Sequence, residues 1–249
     1  MNTMSASPAE PAAAGAAATD TPHRILVWDL PVRVFHGLML ASFAGAWLTA
    51  ESERWRMLHV TLGWTMAGLV AFRLVWGLVG SRHARFASFV RGPRAVARYL
   101  RGLAGGTPEH SVGHNPAGGW AIVGLLGLAA AVAGSGWLAF ADAGPAWSGE
   151  AHEAIATGLL LLVGVHVAGV LLSSRLHREN LVKAMVTGRK AGRPEDGLRG
   201  GARAPVAALL LAAVLGFWFL QWRDAPAPVG ALHAGTLRPG DRDGDGDGD

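Results

Sequence analysis

Five apolar stretches restrict what this chain can fold into: Val34–Ala50, Met57–Val79, Gly119–Phe140, Ala154–Leu172 and Pro205–Trp222. They run 17, 23, 22, 19 and 18 residues. A bilayer core is crossed by roughly 20 helical residues, within a range of about 17–25. The first stretch is the shortest. Ahead of it, Asp29-Leu30-Pro31 reads as a helix start with Pro in the first turn, which lengthens the helix toward Leu30. All five stretches are rich in Gly and Ala, small residues that let helices approach closely in lipid. The expected class is all-α integral membrane: a four-helix bundle plus a fifth, C-terminal transmembrane helix. The fifth has no ionisable residue inside it and reads as a plain anchor.

Charge placement explains the sequence pI of about 10.5. Of 22 Lys and Arg, 16 fall before the first stretch, between the second and third, or between the fourth and fifth. Five lie in the alternate segments, and Arg73 lies within a stretch. This is the positive-inside pattern of a membrane protein. It argues against nucleic acid as a partner. It predicts a multi-pass membrane protein with a cytoplasmic N-terminus and its C-terminus outside. Most of the Trp residues, among them Trp28, Trp47, Trp76, Trp120, Trp137 and Trp222, fall near the ends of the stretches, as interfacial Trp should.

Residues 1–23 are rich in Ala, Pro and Ser and are expected to be a disordered cytoplasmic segment. They lack the basic and apolar regions of a secretory signal. Residues 191–204 read as a basic cytoplasmic linker and 205–222 as the fifth helix. Residues 223–249, with their alternating Asp and Gly, read as a disordered acidic tail outside.

The chain has no Cys, so any redox cofactor is held without a thioether or thiolate bond. Ionisable residues inside apolar helices are costly and point to function. Four of the ten His qualify: His36 in the first helix, His59 in the second, and His152 and His166 in the fourth. His36 and His166 lie at one depth near the cytoplasmic face. His59 and His152 lie at another near the outer face. His152 and His166 are 14 residues apart, which puts both on nearly one helix face with a rise of roughly 21 Å. The expected pairs are His36 with His166 and His59 with His152. Two facing imidazoles in an apolar cleft suit the axial ligation of a noncovalent b-type haem. A zinc site would want three or four clustered ligands, and no Asp or Glu lies deep in a helix.

Arg73 follows His59 by the same 14-residue interval. It either pairs with a propionate of the cytoplasmic-side haem or snorkels to the interface. Gly37, Gly63, Gly164 and Gly169 stand near the ligands. They either let a flat macrocycle lie against a helix or serve close helix packing.

Several stretches together resemble the bacterial cytochrome b561 family, which includes the b-type cytochrome subunits of nickel–iron hydrogenases. These are Val27-Trp28-Asp29 leading to His36, Leu58-His59 through Gly63, and Phe72-Arg73-Leu74-Val75-Trp76-Gly77-Leu78-Val79-Gly80-Ser81. Gly113-His114-Asn115-Pro116-Ala117-Gly118-Gly119, His152-Glu153, and Gly164-Val165-His166 through Ser173-Ser174-Arg175 complete the set. The resemblance spans residues 24–190 and implies a di-haem four-helix core. The family's ligands fall on His36, His59, His152 and His166. The resemblance also implies electron transfer between the quinone pool and a redox partner, either a soluble cytochrome or a hydrogenase-type enzyme. The partners expected are membrane lipid, quinone or quinol, an unidentified redox protein and, as a candidate homodimer, a second copy of the chain. A haem-bearing anchor subunit and an intramembrane-His transporter are the competing functions.

His114 precedes Asn115-Pro116, a helix start with Asn as cap. It either approaches the inner haem's propionates or a quinone, or is a loop residue without a redox role. Glu153, beside His152, either accepts a quinone proton or caps the start of the fourth helix, and the preference of acids for helix N-termini favours the cap. His23, His83, His110, His177 and His233 read as surface residues.

Overall fold

The computed structural model describes residues 23–107, 111–199 and 203–223. The expectations for 1–22 and for the tail from 224 onward therefore lie outside the described residues, as do His110 and His233. Ten regular elements follow in order, apart from two single 3₁₀ turns. They are β1 (His23–Leu26), α1 (Leu30–Thr49), α2 (Arg56–Val79), α3 (Phe86–Phe89) and α4 (Pro93–Ala104), then α5 (Pro116–Phe140), α6 (Ser148–Leu176), α7 (Leu181–Thr187), β2 (Arg189–Gly192) and α8 (Ala204–Arg223). Among the described residues, five helices are long and apolar enough to cross a membrane, namely α1, α2, α5, α6 and α8.

Helix starts follow local chemistry. Asp29 caps α1 by accepting the Val32 amide at 3.0 Å, and Pro31 sits in the first turn. Asn115 caps α5 by accepting the Gly118 amide at 2.7 Å, ahead of Pro116. α6 departs from expectation. It begins at Ser148, five residues before Glu153, because the polar run before the apolar stretch continues the helix. Glu150, not Glu153, occupies the first turn, so Glu153 does not cap this helix.

The five long helices share one core of Phe35, Met66, Leu69, Val70, Leu126, Ala129, Leu159, Leu210 and Val214. α1 packs on α2, α2 on α5, and α5 on α6. α8 packs on α1 and α2, and Trp218 donates from its indole to the Thr65 hydroxyl at 2.9 Å. The fifth helix is thus a packed member of the bundle. Among the described residues, α6 runs along α5 and makes no comparable approach to α1 or α2. α6 is thus joined to the bundle mainly through α5.

One end of the bundle carries a small cap. β1 and β2 pair antiparallel, with Ile25 opposite Lys190. Residues 189–192, placed by their sequence at the junction of the core and the basic linker, are therefore a strand that returns to the chain's start. Gly188, at φ +77°, turns α7 into β2, and its carbonyl accepts both the Val27 and Trp28 amides at 2.8 and 3.0 Å. A Cβ there would meet the Trp28 carbonyl at 2.6 Å, so the turn needs glycine. This end is called the basic end below, after its arginines.

Candidate functional site

At the end opposite the cap, His59 on α2 and His152 on α6 come together. Their ring centres are 6.1 Å apart and the rings stand at 82°. Each Nδ1 is anchored on a neighbouring helix: His59 to the Ala46 carbonyl of α1 at 2.8 Å, and His152 to the Val132 carbonyl of α5 at 3.1 Å. A carbonyl only accepts, so both Nδ1 atoms carry the proton. In the neutral ring the lone pair is then on Nε2. This tautomer is the one that leaves Nε2 to bind a metal, with the second nitrogen's hydrogen bond fixing the ring's direction. Two imidazole nitrogens at about 2.0 Å from one metal put their ring centres roughly 6 Å apart. Ser135 also reaches His152 Nδ1, at 3.2 Å. A Cβ on Gly136 would stand 2.9 Å from the His152 ring, so this glycine makes room for it.

Toward the basic end lie His36 on α1 and His166 on α6. Both are half-buried. A Cβ built on Gly37, Gly63, Gly164 or Gly169 meets nothing within 4 Å. These four glycines therefore do not serve close helix packing within the chain. They leave open space beside the histidines.

Arg73 is 3% exposed, so it does not snorkel. Its guanidinium lies over Phe86 and Phe89, 4.9 and 5.9 Å from the ring centres, and Nη1 has no hydrogen-bond partner. A buried guanidinium N–H without an acceptor calls for an anion.

His114 sits between the Trp28 and Phe89 rings, at 4.5 and 4.7 Å. Its Nδ1 is buried without a partner. It feels the charges of Arg73, Lys190, His166 and His83, and burial with these charges lowers its pKa from 6.5 to about 3. It is therefore a buried loop residue, packed between the segment before α1 and α3.

Other residues at the basic end were less visible in the sequence. Asp29 is fully buried and accepts the Trp76 indole N–H at 3.1 Å, tying the start of α1 to the end of α2. Lys190 is buried, pairs with Glu179 at 3.1 Å, and donates to the Ser111 carbonyl at 3.4 Å. His83 is buried and donates from Nε2 to the Asp196 carbonyl at 2.8 Å, which corrects its reading as a surface residue. The signal for this cap was present: Trp28-Asp29, Arg73 to Ser81, and His114 belong to separate motifs that meet in space.

The His59–His152 pair, the open space at four glycines and an unpartnered buried guanidinium fit a b-type haem. The fold defines a multi-pass membrane protein with histidines on three of its membrane-length helices. The chain belongs to the prokaryotic cytochrome b561 family, whose pattern matches residues 27–188. That match reaches from the residue before Trp28 to the Gly188 turn and leaves α8 outside it. Membership carries b-type haem binding and membrane electron transfer. No curated protein and no solved structure matches the chain.

Proposed function

We propose that the protein is a di-haem electron carrier of the bacterial inner membrane, exchanging electrons between the quinone pool and a redox partner protein. In this reading α1, α2, α5 and α6 form the di-haem bundle and α8 is its fifth helix. The basic end faces the cytoplasm and the C-terminus faces the periplasm, by the positive-inside rule. His59 and His152 hold the outer haem, and His36 and His166 hold the inner one. A haem iron held by two imidazoles takes and gives one electron and keeps no open position for oxygen.

The chain's own residues do the rest. Ala46 and Val132 orient the outer imidazoles through Nδ1, so the lone pairs on Nε2 are fixed before a metal binds. Arg73 supplies buried positive charge at the inner level, suited to a propionate. His114, held neutral, adds a polar group beside it without a second charge.

The observation that carries this reading is the His59–His152 pair, 6.1 Å apart with both Nδ1 atoms tied to main-chain carbonyls. Purified protein mixed with a quinol tests the function. Growth of reduced b-type absorbance bands is the expected result. Reduction by dithionite but not by quinol would instead favour a haem-bearing anchor subunit.

A further inference from the structure

A second site lies at the basic end, where α2 ends and α8 begins. A cavity there, of ≈ 380 Å³, is lined by Ser81, Arg82, Glu195, Leu198, Arg199 and Arg203 among others. Three of these are arginines. Glu195 is the one acid, and its carboxylate is engaged by Arg193, which approaches Oε1 at 3.3 Å. Arg82 is oriented by donating to the Glu195 main-chain carbonyl at 3.4 Å. Arg203 precedes α8 and stacks 5.5 Å from the Trp76 ring centre. Ser81 is 6% exposed, and its hydroxyl is buried without a hydrogen-bond partner. The positive end of the α8 dipole opens at the same place.

We propose that this cavity binds a phosphate group, carried by an anionic phospholipid headgroup or free in solution. Guanidinium forks match phosphate oxygens in geometry and charge. The position, between the ends of two membrane-length helices, is that of a headgroup, and basic pockets between such helices bind anionic lipids. Arg199 and Arg203 lie beyond residues 27–188, the segment that matches the family, whereas Ser81 and Arg82 lie within it. It does not depend on the haem assignment.

Native mass spectrometry of the delipidated, haem-loaded full chain tests it, with phosphatidylglycerol, phosphatidylcholine and inorganic phosphate as separate probes. Phosphatidylglycerol should bind in preference to phosphatidylcholine. The pair Arg199→Gln and Arg203→Gln should weaken it by at least about tenfold, while Arg94→Gln, an exposed arginine outside the cavity, leaves it unchanged. Inorganic phosphate binding with the same arginine dependence, in place of the lipid, would identify the free ion as the source. Arg203→Gln alone is the milder variant if the double one does not fold, and it should weaken the same probe. Equal binding by wild type and both cavity variants, or equal loss in Arg94→Gln, would overturn the proposal.

Discussion

The His59 and His152 rings stand 6.1 Å apart at 82°, and each is aimed by a helix other than its own. α1 holds the ring carried by α2, and α5 holds the ring carried by α6. Four helices thus set one pair of imidazoles. The first consequence concerns Gly136. An alanine there would place its Cβ 2.9 Å from the His152 ring and push it off the Val132 carbonyl. Gly136→Ala should therefore reduce occupancy of the outer haem and leave the inner one intact. Gly134→Ala, whose Cβ meets nothing within 4 Å, is the control. Haem-to-protein ratios of the two variants check this.

The Asp29 carboxylate does two jobs, capping α1 and accepting the Trp76 indole. Losing a cap costs about 1 kcal/mol. A hydrogen bond to a buried charged group contributes about 1.5–3 kcal/mol. Asp29→Ala should lower the thermal midpoint by several degrees in detergent, and Trp76→Phe, which keeps the cap, by less. Equal midpoints for wild type and Asp29→Ala would refute the tie between α1 and α2.

His114 gives a pH dependence with a defined sign. Its folded pKa is about 3, against 6.5 when unperturbed. Between those values the unfolded chain binds the extra proton and the folded chain does not. Stability from this group is fully present above pH 6.5 and is lost as pH falls toward 3. The slope is at most about 1.4 kcal/mol per pH unit. His114→Gln should flatten this part of the stability profile, as measured by denaturation across pH 4–7. An unchanged slope would mean that His114 is not buried neutral.

Much of this was legible from local signals. Apolar length marked the five long helices, and Asp29 and Asn115 announced two helix starts. Matched depth paired His59 with His152, because one helical rise per residue converts sequence position into height. What stayed hidden depends on tertiary contact. β1 and β2 are four-residue strands far apart in the chain, too short for an alternating pattern to be read. His83 sits in a loop rich in arginine and looks solvated until Asp196 folds over it. Glu153 was misassigned because hydropathy marks where a helix enters lipid, not where it begins. The lone pairs of the outer histidines were also out of reach, since the carbonyls that set them belong to other helices.

The central claim is that four histidines form two pairs. Its most direct measurement is the haem count of the purified chain, with optical spectra, across the four single His→Ala variants. The wild type should hold two haems. His36→Ala and His166→Ala should lose one and the same haem, and His59→Ala and His152→Ala the other. One haem in the wild type, or loss of the same haem in His59→Ala and His166→Ala with the other retained, would contradict the account.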